Sequence, residues 1–194
     1  MPVHKPLLVA ITGASGAIYG VELLSALREL QRPAHLIISQ AGERTLALET
    51  DRGLGEVLDL AERVYAEDDL AAAPSSGSFA TAGMAVLPCS IKTLSSVAHS
   101  FDHNLIARAA DVCLKEGRRL VLCVRETPLH RGHLELMARA AGLGAVILPP
   151  LPAFYHRPAT VLDLVRQSVG KVLDQFGIEH RLFARWQGPP ERAR

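Results

Sequence analysis

The amino-acid sequence predicts an α/β fold: a doubly wound parallel sheet with helices on both faces. Three observations predict it. Short apolar runs recur at strand length, segments of helical periodicity separate them, and the first run ends in a glycine-rich turn that opens straight into such a helix.

The strand runs are Leu7–Thr12, Ala34–Ser39, Met84–Leu87, Leu120–Val124 and Ala145–Leu148, with Arg63–Ala66 a weaker sixth. They are continuously apolar, as strands buried on both faces are. Between them, Ile18, Val21, Leu24 and Leu27 make one helical face, with Leu23 and Leu30 beside it. Leu105, Ile106, Ala109, Val112 and Cys113 make a second. Leu134, Met137 and Ala141 make a third, and Val161, Leu164, Val165, Val169, Val172 and Leu173 a fourth. Right-handed crossovers then give the strand order 3-2-1-4-5-6. In that order the first and fourth strands are neighbours whose connections diverge, and ligands bind beyond the carboxyl ends at this switch point. Gly13–Gly16 and Pro88–Thr93 become the two lips of one crevice. The Ala-, Ser-, Gly- and Pro-rich segment Ala71–Gly83 reads as a linker or a mobile loop of the site.

A chain of 194 residues fits one domain. Residues 1–188 are read as that domain and 189–194 as a frayed tail. The 48% hydrophobic content excludes a disordered chain. Twenty-one Lys and Arg against 20 Asp and Glu, with no basic stripe, exclude a nucleic-acid binder. Any bound anion must therefore be caught by a few placed groups. No apolar stretch approaches the roughly 20 residues that span a membrane, and the run after Lys5 is too brief for a signal peptide. Cys89, Cys113 and Cys123 form no CxxC pair, which reads as free thiols in the cytoplasm. His130 and His133 lack a third ligand of convincing spacing, so no metal is expected.

Gly13-Ala14-Ser15-Gly16, with Gly20 beyond, offers backbone N–H groups and a helix dipole to an anion. It matches neither G-x-G-x-x-G nor the Walker pattern, so alone it equally describes a turn that packs helix on strand. The second strand ends Ile37-Ile38-Ser39, without the carboxylate that dinucleotide folds direct at ribose. This argues against NAD and leaves room for a mononucleotide. Ser90-Ile91-Lys92-Thr93 opens a helix and presents hydroxyls, N–H groups and an ammonium, although an ordinary N-cap serine would look the same. Arg108 and Lys115 lie seven apart, two turns of one helix. Arg125 and Glu126 end the fifth strand, Tyr155 and His156 follow a proline-rich loop, and Lys171 lies on the last helix. Each alone reads as a solvated group; what they share is an expected position at carboxyl-end loops or on helices flanking them.

Here the sequence resembles a family. Thr12–Tyr19 (TGASGAIY), Leu48–Asp51 (LETD), Ser75–Ser78 (SSGS) and Leu87–Leu94 (LPCSIKTL) look like UbiX-type flavin prenyltransferases. So do Arg108–Glu116 (RAADVCLKE), Leu122–Pro128 (LCVRETP), Gly144–Pro158 (GAVILPPLPAFYHRP) and Phe183–Gly188 (FARWQG). The resemblance covers nearly the whole chain, in order. It implies a Rossmann-like, flavodoxin-like fold and a metal-independent homo-oligomer, usually a dodecamer. It implies transfer of a dimethylallyl group from dimethylallyl phosphate to N5 and C6 of reduced FMN. The prenylated FMN then serves a UbiD-type decarboxylase, often in ubiquinone synthesis.

Carried over by position, the resemblance makes Gly13, Ala14, Ser15, Ser39, Ser90, Ile91, Lys92, Thr93 and Arg125 the flavin contacts. It makes Ser76, Arg108, Lys115, Glu126, Tyr155 and Lys171 the prenyl-phosphate contacts. Glu49 falls at the proton-handling position and Trp186 at the position that covers the site. With Ser15, Lys115 and Glu126 these two complete the expected catalytic set. Many members carry arginine where this chain has Lys171, and lysine lacks the planar fork that grips phosphate through two bonds. Two rival readings differ in class. A peptidyl-cysteine decarboxylase would carry an early catalytic histidine and an Asn-Met signature, neither of which occurs in that form. A flavin carrier without catalysis would not need the cations around Lys115.

Overall fold

The computed structural model describes residues 4–188; the proposed tail, 189–194, lies outside the described residues. The strands are β1 (Leu7–Ile11), β2 (Ala34–Ile38), β3 (Arg63–Tyr65), β4 (Gly83–Cys89), β5 (Leu120–Val124) and β6 (Val146–Ile147). They form one sheet in the order β3-β2-β1-β4-β5-β6, every pairing parallel. This is the predicted order, and β3, the weak candidate, is real. Leu7 is level with Ala34 on one side and Gly83 on the other, which sets the carboxyl ends of β1, β2 and β4 side by side.

The helices are α1 (Ala17–Glu29), α2 (Gln40–Glu49), α3 (Leu54–Leu58), α4 (Ile91–Ala98), α5 (Leu105–Lys115), α6 (Arg131–Gly142) and α7 (Val161–Gln175). Successive strand residues point to opposite faces, and the core divides accordingly. Val9, Ile11, Leu36, Ala85 and Val121 pack with Leu24 and Leu27 of α1 and Val165 and Val169 of α7. Leu8, Ala10, Met84, Val86 and Leu122 pack with Val97 of α4, Ile106 and Ala109 of α5, and Ala140 of α6.

Two helical faces differ from expectation. On α6, Leu134 is 52% exposed and Ala140, not Ala141, is the buried alanine. The apolar periodicity there marks a surface that a single chain leaves open. On α7, Val161 is exposed because it is the first helical residue, ahead of the turn that reaches the sheet. The segment 71–83, read as a linker or a mobile loop of the site, carries fixed structure of its own. A 3-10 turn, Ala73–Ser75, buries Pro74. Beyond it, Arg118 donates to the carbonyls of Gly77 and Phe79 at 2.6 and 2.7 Å. Its end enters β4 at the amino edge of the sheet, where the Ala82 N–H reaches the Pro6 carbonyl, while Ser75 lies against Arg108 of α5.

Candidate active site

The two lips predicted at the switch point are tied by Thr12. Its Oγ1 donates to the Pro88 carbonyl at 2.7 Å and accepts the Ser90 N–H at 2.9 Å. Its own N–H also reaches Pro88 O, at 3.3 Å. Thr12 is 1% exposed, so these bonds form in a dry setting where an unmade one is expensive. Sequence reasoning missed this residue; a hydroxyl closing an apolar strand was the available signal. The neighbouring glycines serve packing first. A side chain at Gly13 would collide with Ala41 of α2, and one at Gly20 with Ile11 and the Leu87 carbonyl. Gly16 sits at φ 102°, left-handed backbone that favours glycine.

The anion expected at the start of α1 is supplied by the protein. Glu49, the last residue of α2, accepts the Gly16 N–H at 2.6 Å and the Ala17 N–H at 3.2 Å. Burial pushes its carboxyl up. The Ser15 hydroxyl, these two N–H groups and the Arg125 charge outweigh that and hold it below its ordinary value. The helix terminus stabilises the ionised form. Arg125 begins the loop after β5 and is tethered by its N–H to the Cys89 carbonyl at 3.1 Å. Its charge also opposes the upward push that burial gives the Tyr19 hydroxyl. Tyr19 thus joins Ser15, Glu49 and Arg125 in one electrostatic group, although only the other three were foreseen.

The second helix terminus stays open. Ser90 caps α4, its Oγ accepting the Thr93 N–H at 3.3 Å and lying 3.1 Å from Thr93 Oγ1. The N–H groups of Ile91 and Lys92 have no acceptor among the described residues. Ser39 caps α2 by accepting the Gly42 N–H at 3.0 Å, which leaves its hydroxyl proton to give. Ala14 is buried and Lys92 exposed on the first turn of α4. A cavity of about 630 Å³ adjoins them beyond β2 and β3, bordered by Ile38, Gln40, Tyr65, Glu67, Lys92 and Asn104. Glu126 is exposed beyond β5, its Oε1 accepting the Thr127 N–H at 2.9 Å.

The remaining predicted residues form two other groups. Arg108 donates from Nε to the Ser75 carbonyl at 3.0 Å and from Nη1 to Asp102 and Asp111 at 3.1 and 3.4 Å. Ser76 is exposed nearby, its Oγ 2.9 Å from that of Ser78. Lys115 pairs with Glu116 at 2.6 Å and lies under Gly77. Lys115 lies on a helix, α5, as expected; α5 runs from the carboxyl edge back towards β5, so its last residue stands at the amino edge. The third group joins the loop after β6 to α7 and the chain end. Tyr155 and Trp186 stand edge to face with ring centroids 6.2 Å apart. Lys171 pairs with Asp174 at 3.3 Å. Among the described residues, no hydrogen bond or ion pair links the three groups.

No cluster of three or more His, Cys, Asp or Glu suited to a metal occurs among the described residues. The rings of His130 and His133 lie against each other, centroids 3.5 Å apart and tilted by 34°. Burial pushes the Cys89 thiol up to about 12 and Cys113 to about 11, so neither supplies a thiolate nucleophile. No helix among the described residues is long and apolar enough to cross a membrane.

Known proteins are similar over nearly the whole chain. The Flavoprotein family profile matches residues 1–170. The chain is 60% identical over 187 residues to flavin prenyltransferase UbiX of Escherichia coli strain K12, covering 95% of this chain and 99% of that one. AnUbiX (PadA1), crystallised in complex with FMN and dimethylallyl pyrophosphate, superposes with a TM-score of 0.94 at 48% identity, covering 95% and 98% of the two chains. A dodecameric FMN-dependent UbiX-like decarboxylase from Escherichia coli O157:H7 superposes with a TM-score of 0.91 at 49% identity, covering 95% and 100%. The chain belongs to the UbiX flavin prenyltransferases within the Flavoprotein family.

Proposed function

We propose that this chain transfers a dimethylallyl group from dimethylallyl phosphate to N5 and C6 of reduced FMN. The identity with named flavin prenyltransferases over almost the whole chain carries this reading. The product would pass to a UbiD-type decarboxylase, in ubiquinone synthesis. FMN fits the crevice chemically. The two free N–H groups at the start of α4, the Ser90 and Thr93 hydroxyls and the Arg125 guanidinium all donate to an oxygen-rich acceptor. Glu49 occupies the other helix start, so the flavin's own anion is better received at α4 than at Gly13–Gly16.

Loss of the allylic phosphate leaves a negative leaving group and a delocalised cation. Arg108, Lys115, Tyr155 and Lys171 are the donors that would receive that phosphate, each charge-assisted bond contributing about 1.5–3 kcal/mol. Tyr155 and Trp186 would offer aromatic faces to the cation and shield it from water once the site is covered. Ring closure would add a proton to the prenyl double bond, balanced by the one N5 gives up on alkylation, and remove one from C6. Glu49, held ionised, suits the base that takes the C6 proton, with Ser15 as its hydrogen-bond partner.

Three separate groups in one chain support a site completed between subunits of a closed homo-oligomer, a dodecamer as in the relative described above. The open apolar face of α6 is in keeping with this. Three buried, unpaired thiols favour the cytoplasm. The continuous sheet favours one domain over residues 1–188. Phosphorus NMR tests the activity: release of inorganic phosphate from dimethylallyl phosphate should require both the protein and reduced FMN. Calorimetry should find FMN binding and no NAD binding.

A further inference from the structure

Four hydrogen-bond donors converge on the Asp174 carboxylate. Arg185 grips it as a fork, Nη1 to Oδ2 at 2.8 Å and Nη2 to Oδ1 at 2.6 Å. Lys171 Nζ reaches Oδ2 at 3.3 Å and His180 Nε2 reaches Oδ1 at 3.2 Å. His180 Nδ1 accepts the Leu182 N–H, so the ring's proton belongs on Nε2, aimed at Asp174. Burial pushes the carboxyl up, but the bonds and charges of Arg185 and Lys171 bring it down to about 2. The His180 side chain is 1% exposed and Asp174 19%.

These contacts fasten a strap. Residues 179–188 belong to no helix or strand, yet they lie along α7. Gly170 makes room for them, because any side chain there would collide with the rings of His180 and Phe183. The Arg185 guanidinium also covers the Phe183 ring, 5.0 Å from its centroid. The next residue is Trp186, 64% exposed and without a hydrogen bond among the described residues. Its position over Tyr155 therefore depends on how Arg185 is held.

We infer that Asp174 is a positioning residue: it locks the strap onto α7, and so sets Trp186 against Tyr155 and aims Lys171 for the prenyl phosphate. The substrate part of this inference rests on the proposed function. Removing the carboxylate does more than delete bonds. It leaves the Lys171 and Arg185 cations adjacent and unbalanced, so the strap is pushed off rather than merely loosened.

The chain contains a single tryptophan, so its emission reports the strap directly. In the full chain without ligand, Asp174→Asn should shift Trp186 emission to the red and raise its quenching by acrylamide. Arg185→Gln cuts the same fork from the exposed side and should do likewise, which keeps the test decisive if Asp174→Asn fails to fold. In turnover, both variants should raise KM for dimethylallyl phosphate about tenfold or more, the loss expected for charge-assisted bonds, while FMN affinity stays within about twofold. Unchanged emission and quenching in the folded variants would overturn the inference, as would a KM that stays level or falls. The emission experiment needs no substrate. A wild-type protein that transfers no prenyl group would therefore defeat the proposed function without deciding whether the strap is anchored.

Discussion

The Glu49 carboxylate accepts the Gly16 N–H at 2.6 Å, so the helix that opens the crevice is capped by the end of the helix beside it. The group that the proposed chemistry needs for a proton is also the group that finishes α1. Substituting it should therefore have two separable effects.

Glu49→Gln keeps the size and removes proton exchange. Flavin extracted from this variant after reaction should be alkylated yet retain its aromatic C6 hydrogen in the proton NMR spectrum. Loss of that hydrogen at the wild-type rate would remove Glu49 from the ring closure. The same variant should lose about 1 kcal/mol of stability, as weakened helix caps do.

The pH dependence of that stabilisation has a definite sign. The folded carboxyl of Glu49 lies below its ordinary value, so its contribution is complete above the ordinary carboxylate range. It is lost as pH falls through the lowered value. The melting-temperature difference between wild type and Glu49→Gln should be level near neutrality and vanish in acid. A difference that grows on acidification would contradict the cap.

Lys115→Ala should lose about 2–4 kcal/mol of transition-state stabilisation, as other deleted preorganised donors do. FMN affinity, measured by calorimetry, should hardly change. Since Lys115 and Arg125 stand at opposite edges of one sheet, their sites should complement in mixed oligomers. Combining Lys115→Ala with Arg125→Ala protomers should recover activity that neither shows alone. No recovery in verified mixed assemblies would place both residues in one subunit's site.

Thr12→Val preserves shape but removes the side-chain bond to Pro88 and leaves the half-buried Ser90 N–H unmatched. It should cost about 1–3 kcal/mol in urea denaturation. It should also weaken FMN binding, because the α4 terminus is no longer fixed relative to Gly13. Unaltered flavin affinity would mean the two lips are positioned by the sheet alone.

The sheet was legible because its strands are continuous apolar runs and its crossovers have one allowed hand. Leu7–Ile11, Ala34–Ile38 and Leu120–Val124 could be read almost to the residue. The α6 face misled because periodicity records burial without saying against what, and Leu134 faces outward in the single chain. Lys115 could be assigned to a helix but not to an edge of the sheet, since the direction of α5 follows from topology and not from spacing. Thr12, Tyr19 and Asp174 escaped notice. Thr12 and Tyr19 act through partners distant in sequence, Ser90 and Arg125, and Asp174 through Arg185 of an irregular segment whose path over α7 no periodicity records.

Production of prenylated flavin by this chain can be measured directly. Flavin-loaded protein should be incubated with dimethylallyl phosphate and reductant, without oxygen, and the flavin then extracted for mass spectrometry and proton NMR. The extracted flavin should be heavier by one prenyl unit and lack the aromatic C6 hydrogen. Recovery of unchanged FMN from fully loaded protein would contradict the proposed function.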